Sequence, residues 1–288
     1  MIHKYGPVAC VAVGVILGGL YVNDTVLAQD RTQEMDTVFE LRTYTVVEGK
    51  LPALLDRFRQ GKRAMLGKNG MSIIGFWVPA DSPSSGNTLI YLLKHDSLEA
   101  AKDSWDRFAG DPIWRTLRDK TSADGPLVSH VESVFMDPQV GVEEVREAQV
   151  PTTTRRFDLS TFGDPRSRTA QAATATAPQA AEASAQGMTP VFELRTYTAA
   201  EGNLQGLLAR FKEDQSPVLG NSGARAVGFW VPTERPQSEN LVIYLLQHKS
   251  LDAANDSWSS GEAAAQGPLV RNVESVFMNP TDFSPTSF

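Results

Sequence analysis

The sequence predicts an α+β protein in which one βαββαβ unit, the ferredoxin-like arrangement, occurs twice and the two copies pair sheet to sheet within the chain. Three observations predict it. Residues 38–48, Val-Phe-Glu-Leu-Arg-Thr-Tyr-Thr-Val-Val-Glu, recur at 191–201 as Val-Phe-Glu-Leu-Arg-Thr-Tyr-Thr-Ala-Ala-Glu. The same offset of 153 carries Gly75-Phe76-Trp77-Val78-Pro79 onto Gly228-Phe229-Trp230-Val231-Pro232, Tyr91 onto Tyr244, His95 onto His248 and Trp105 onto Trp258. Within each copy, alternating and helical periodicities succeed one another in the order strand, helix, strand, strand, helix, strand. Helices on one face of such a sheet leave the other bare. Trp77/Trp230 and Tyr44/Tyr197 are costly to leave in water, so the copies are expected to bury them against each other.

The elements of the first copy, residues 37–138, follow from local pattern. Val38–Val46 sets Phe39 and Leu41 against Glu40, Arg42 and Tyr44, the period-two signature of a strand. Leu51, Leu54, Leu55 and Phe58 fall on one face of a helix that Gly67 to Gly70 ends. Ser72–Val78 and Thr88–Lys94 are rich in β-branched and aromatic residues, and Pro79 to Gly86 between them reads as a hairpin loop. Asp96 or Ser97 supplies an N-cap for a second helix with Leu98, Ala101, Trp105 and Phe108 as its buried stripe. Leu127–Met136 is the fourth strand, stopped at Pro138. The second copy, residues 190–285, repeats this order. Val131-Glu-Ser-Val-Phe-Met136 returns at Val273–Met278, an offset of only 142, so 11 residues are lost from the stretch matching Arg107–Lys120 and the second helix or its link is expected to be shorter.

Two segments lie outside the repeat. Lys4 precedes an apolar run from Val8 to Val22, and Val26-Leu27-Ala28 presents small or short side chains before a cut after Ala28, so residues 1–28 read as a bacterial export signal. The run is short of the roughly 20 residues that span a bilayer; an uncleaved anchor in the inner membrane is the alternative. Residues 139–189 form the linker, rich in Ala, Gln, Thr and Ser from Thr169 to Gln186 without an apolar stripe. The expected location is periplasmic or extracellular.

Composition removes several functions. The net charge is −7 with no dense Lys/Arg run, so nucleic acid is not an expected partner. The one cysteine, Cys10, lies in the leader, which excludes thiolate metal centres and a cysteine nucleophile from the body of the protein. There is no Gly-rich phosphate loop and no nucleotide fingerprint.

Taken as a set, Phe39-Glu-Leu-Arg-Thr-Tyr44 and Phe192-Glu-Leu-Arg-Thr-Tyr197, the two Gly-Phe-Trp motifs, the tryptophan of the second helix and the ending Asn279-Pro-Thr-Asp-Phe-Ser284 resemble the NIPSNAP family. The resemblance implies a dimeric α/β barrel, two ferredoxin-like sheets packed around a shared cavity. The first copy departs from the pattern, since Asp137-Pro138 runs on into Gln139-Val140 without the Thr-Asp-Phe-Ser ending. The resemblance carries no settled reaction.

Candidate ligand-binding residues follow from the alternation. Glu40, Arg42 and Tyr44, with Glu193, Arg195 and Tyr197, are expected to point to the cavity side of their strands, where arginine offers a fork of donors to an anionic or carbonyl-bearing ligand. A purely structural Glu–Arg network is the competing reading. Glu132 and Glu274 sit mid-strand, where an inward carboxylate acts as a base or pairs with Arg42 or Arg195. His95 and His248 end their strands in both copies, whereas His130 becomes Asn272. No metal site and no cofactor are predicted; haem stacked on the tryptophans is the one cofactor alternative, because some relatives in the wider superfamily bind it. The expected function is binding of a small molecule or protein partner through the paired barrel. The alternative is a small-molecule enzyme of monooxygenase, peroxidase or isomerase type. A lumen filled by side chains favours binding, and His95 or Glu132 facing an open cavity favours the enzyme.

Overall fold

The computed structural model describes residues 37–139, 190–213, 224–255 and 268–285; residues 1–28, expected to be an export signal, most of the expected linker and Trp258 lie outside them. The first module consists of β1 (Val38–Val46), α1 (Leu51–Arg57), a π turn (Phe58–Lys62), α2 (Arg63–Lys68), β2 (Ser72–Pro79), β3 (Thr88–His95), α3 (Leu98–Gly110), α4 (Pro112–Thr121) and β4 (Val128–Pro138). The second has β5 (Val191–Ala199), α5 (Leu204–Glu213), β6 (Arg225–Pro232), β7 (Leu241–His248) and β8 (Val270–Pro280), with residues 251–255 helical.

All eight strands close into one barrel in the order β1-β3-β2-β8-β5-β7-β6-β4. Each module contributes an antiparallel sheet with its own first strand at the centre, between its third and fourth. The two sheets join along short seams. Trp77 to Pro79 of β2 pair with Met278 to Pro280 of β8, and Met136 to Pro138 of β4 pair with Pro232 to Trp230 of β6. The intrachain pairing that the repeat predicted is therefore the architecture of the molecule.

Odd-numbered β1 residues face the lumen. Phe39 and Leu41 join Trp77, Ile90, Leu92 and Met136 there, against Phe192, Trp230, Ile243 and Met278 from the other sheet. Phe39 lies 5.2 Å from Trp230, and Phe192 lies 5.3 Å from Trp77, so the aromatic contacts are reciprocal across the interface. Gly75 and Gly228 explain the Gly-Phe-Trp motif: each indole folds back over the glycine two residues before it, where a Cβ would collide with the ring. The lumen is a packed core. The cavity left in it measures about 10 Å³ and has an apolar lining, about the space of one water molecule.

The other face of each sheet lies under its helices. In the first module Leu51, Leu54, Phe58, Met65, Leu66, Phe108, Trp114 and Leu117 pack on Tyr44, Phe76 and Tyr91. Ser97 caps α3 as expected, accepting from the Ala100 amide at 3.1 Å. The helix stripe is corrected at Leu98, which is 51% exposed; Ala101 and Phe108 carry the buried face. Asp111 then starts a further helix, α4, by capping the Ile113 amide. The segment missing from the second module corresponds to this helix with its buried Trp114.

Candidate functional site

Because Phe39 and Leu41 take the lumen, Glu40, Arg42 and Tyr44 point the opposite way, into the space between sheet and helices. The expectation that they line the barrel cavity is overturned, and the same holds for Glu193, Arg195 and Tyr197. The reason is that both faces of this sheet are covered, and the apolar partner sheet takes the apolar side of the strand.

Glu40 is the centre of the first module's network and is fully buried. Its carboxylate accepts from Arg42 Nη1 at 2.6 Å, Ser133 Oγ at 2.6 Å, Trp105 Nε1 at 2.7 Å and His95 Nε2 at 3.0 Å. Burial alone raises its pKa. The His95 bond, the Arg42 charge and the Ser133 and Trp105 donors outweigh burial and hold it at about 2. Glu193 repeats the arrangement, accepting from Arg195 Nε and Ser275 Oγ at 2.5 Å, His248 Nε2 at 2.8 Å and Arg195 Nη2 at 3.1 Å. Its pKa is lowered by the His248 and Arg195 bonds against the opposing effect of burial.

The histidines therefore serve the carboxylates. His95 and His248 are buried, each aims Nε2 at its glutamate, and Nδ1 has no hydrogen-bond partner. A carboxylate only accepts, so the bond places a proton on Nε2. Both rings are buried with Nε2 committed to a glutamate, and Trp77 and Trp230, two of the tryptophans on which a haem would stack, fill the lumen. These residues do not fit a haem. Among the described residues no group of three or more His, Asp or Glu is placed to hold a metal ion.

Glu132 and Glu274 are corrected as well. Both side chains are exposed on the outer parts of β4 and β8, beyond the seams, and Asn272 Nδ2 donates to Glu274 Oε1 at 3.2 Å. Neither meets Arg42 or Arg195. The serines one residue on, Ser133 and Ser275, reach Glu40 and Glu193 instead.

Beyond the shared network, the modules diverge. In the first, the buried Lys62 donates from Nζ to Tyr44 Oη at 2.9 Å, and Tyr91 Oη donates to Tyr44 Oη at 2.8 Å. Lys62 Nζ sits 4.5 Å from the Phe58 ring centre, 4.6 Å from Tyr44, 5.3 Å from Trp114 and 5.9 Å from Tyr91 and Phe108. Burial pushes its pKa down. Tyr44 is raised by burial, but the charges of Lys62 and Arg42 more than reverse this and bring it to about 8. The charge on each group favours the charge on the other, against the burial that opposes both. Arg57, also buried, binds only hydroxyls, Thr121 Oγ1 at 2.7 Å and Ser122 Oγ at 2.6 Å. Arg42 lies over Trp105 at 4.2 Å.

The second module has no counterpart of Lys62 within its described residues: the repeat places Gln215 there, outside them. Arg195 forks onto Glu193 and extends Nη1 to Tyr197 Oη at 3.3 Å, taking the tyrosine that Lys62 takes in the first module.

The C-terminal motif completes the first module. After β8 crosses the seam, Arg59 grips Asp282 through two bonds of 2.8 Å, Phe283 stacks on Phe58 at 6.0 Å and packs on Phe76 at 5.3 Å, and the Phe76 amide donates to Ser284 Oγ at 3.0 Å. The Asp-Phe-Ser ending of one module thus covers the helix-side core of the other.

Sequence reasoning missed Lys62, Arg57 and Tyr91. A signal for Lys62 was present: it lies four residues after Phe58, on the apolar stripe of the helix, where a lysine is out of place.

An eight-stranded antiparallel barrel made of two helix-backed sheets defines the protein as a dimeric α/β barrel closed within one chain. The NIPSNAP family pattern matches residues 39–140 and 192–285, and the chain belongs to that family. Among solved structures, a candidate monooxygenase from Fusobacterium nucleatum aligns over 88% of this chain and 95% of its own, with 8% identity and a TM-score of 0.52. One from Lactobacillus acidophilus aligns over 85% and 94%, with 7% identity and a TM-score of 0.50. An uncharacterised NIPSNAP domain protein from Burkholderia xenovorans aligns over 37% of this chain and 99% of its own, at 21% identity and a TM-score of 0.33. At such identities the likeness speaks to the fold. No curated protein matches the chain.

Proposed function

We propose that the chain is an exported small-molecule-binding protein with one ligand site, between the sheet and helices of the first module, and that the second module is its structural partner. The observation that carries this reading is the pair of buried cations, Lys62 and Arg57, that bond hydroxyls and no carboxylate in the first module. A buried charge without a counter-ion is expensive, and such positions recur where a ligand supplies the missing partner. The packed lumen supports a binding role outside the barrel's interior rather than within it. Export rests on the charged start, short apolar run and Val-Leu-Ala end of the leader.

The test is unbiased mass spectrometry of small molecules that co-purify with the full chain, with ligand counted per chain. One ligand per chain, lost in Lys62→Met and retained in Glu274→Gln, is expected. Two ligands per chain, or retention in Lys62→Met, would overturn the assignment to the first module. The Lys62–Tyr44 pair also favours a second reading, an enzyme that works without a cofactor. Turnover of the recovered molecule by the purified chain would favour that reading over simple binding.

A further inference from the structure

Resting on the first-module site proposed above, we infer that Lys62 is a carbonyl-reactive amine and that the ligand class is small oxo acids, captured as an imine on Nζ. Three features of the geometry point there. The ammonium form is poorly served: one phenol oxygen accepts from it, and aromatic rings occupy the rest of its surroundings. A lysine desolvated in this way is available as a neutral nucleophile. A proton donor stands beside it, since Tyr44 Oη is 2.9 Å from Nζ and is itself backed by Tyr91 Oη. Finally, two guanidinium groups share aromatic rings with the amine. Arg57 lies over the same Trp114 ring at 5.9 Å, and Arg42 over the same Tyr44 ring at 5.8 Å. A carbonyl compound bearing a carboxylate meets both needs at once, and a ketone without a charge meets only one.

The step balances without an oxidant or reductant. The Nζ lone pair forms a bond to the carbonyl carbon as the carbon–oxygen π bond opens; the oxygen takes a proton from Tyr44, and the nitrogen returns one of its two protons to the phenolate, giving a carbinolamine. The carbon–oxygen bond then breaks, the oxygen departs as water with a proton delivered by Tyr44, and nitrogen gives up its remaining proton to the phenolate. One water is released. Tyr91 steadies Tyr44 through the cycle by donating to it.

On this inference entry runs past the C-terminal segment. Phe283 covers Phe58, whose ring forms part of the Lys62 cage, and the segment is tied down by the exposed Arg59–Asp282 pair. Loosening that pair is expected to uncover the Phe58 side of the cage, and neither Arg59 nor Asp282 is among the reacting groups.

The experiment incubates the full chain with pyruvate or, separately, with acetone, reduces with sodium borohydride and maps modified lysines by peptide mass spectrometry. Pyruvate is expected to label Lys62 ahead of the exposed Lys102 and Lys68, with a mass gain equal to the oxo acid less one oxygen; acetone labels it poorly. Tyr44→Phe is expected to slow labelling about 100-fold, the scale of a lost proton donor, and Asp282→Asn to speed it. The wild-type peptide map is decisive even if a variant fails to fold. Labelling spread over surface lysines, or none at Lys62, overturns the inference. If Lys62 is unlabelled but pyruvate raises the melting temperature saturably in the wild type and not in Lys62→Met, the inference fails and the binding reading stands. If neither labelling nor such a shift occurs with pyruvate while the co-purification test identifies a Lys62-dependent ligand of another class, the inference again fails alone; loss of both results removes both.

Discussion

The two modules share a strand motif of eight identical residues, Val38–Thr45 and Val191–Thr198, yet their buried polar networks end differently. In the second module Arg195 bridges Glu193 and Tyr197, and its side chain is 5% exposed. In the first, Arg42 makes one bond to Glu40, turns its guanidinium onto Trp105 and is 16% exposed; Tyr44 is left to Lys62. The shared part is the Glu, His and Ser cluster that ties the first, third and fourth strands of each sheet together. The part that differs is the one to which the proposed ligand site is assigned. Among the described residues, the first half alone holds buried cations that bond hydroxyls and no carboxylate.

The largest expected effect tests that contrast. Arg195→Met leaves Glu193 without its fork and is expected to cost about 3–5 kcal/mol of stability in urea unfolding. Arg42→Met removes a single charged hydrogen bond while Glu40 keeps three donors, and is expected to cost about 2 kcal/mol. Equal losses would mean that the modules are not differently closed.

Acid comes next. In the unfolded chain the Glu40 carboxyl titrates near 4.5, and in the folded chain near 2. A depressed carboxylate stabilises the fold fully above the unfolded value, and the contribution drains away as pH falls from about 4.5 to about 2. At 1.36 kcal/mol per pKa unit this is about 3 kcal/mol for Glu40, with Glu193 acting in the same direction. Unfolding free energies measured across that window should fall steeply in the wild type and less steeply in Glu40→Gln and Glu193→Gln, compared at equal denaturant.

A smaller effect should be the same in both halves. Gly75→Ala and Gly228→Ala each drive a methyl into the indole two residues on, at about 1–3 kcal/mol. Matching losses in thermal melts would show the lumen to be symmetric and rigidly packed; tolerance at one site would reveal spare room on that side.

The smallest effect is the most telling. Lys62→Met keeps an unbranched stem in the aromatic cage and removes a cation that no carboxylate neutralises, so the change in stability is expected to be under about 1 kcal/mol or favourable. A loss of several kcal/mol would make Lys62 a structural residue and place both modules on the same footing.

Much of the fold was legible because duplication doubled every signal. Period-two alternation placed β1 and β5, the Phe58 stripe placed α1, Ser97 marked the start of α3, and proline ended β4 and β8. The site was less legible. The alternation of Glu40, Arg42 and Tyr44 showed that they share a face, and the local pattern carries no mark of which layer lies over that face. Glu132 looked buried because its neighbours Val131, Val134 and Phe135 are apolar, yet β4 runs past the seam with β6 and carries Glu132 into solvent. The Asp-Phe-Ser ending was visible as a motif, but its role depends on the other module, more than 200 positions earlier in the chain.

The sequence by itself determined the two βαββαβ units, their pairing within one chain and the identity of the apolar and polar faces of each strand, because these follow from spacing along a single stretch of backbone. Only the tertiary structure decided which face meets which layer, that the lumen is full, and that Glu40 gathers donors from Ser133, His95 and Trp105. The physical reason is that burial and hydrogen bonding are properties of surfaces brought together across long separations. The pairing of two sheets fixed the apolar faces inward, and the carboxylates then had only the helix side on which to find their partners.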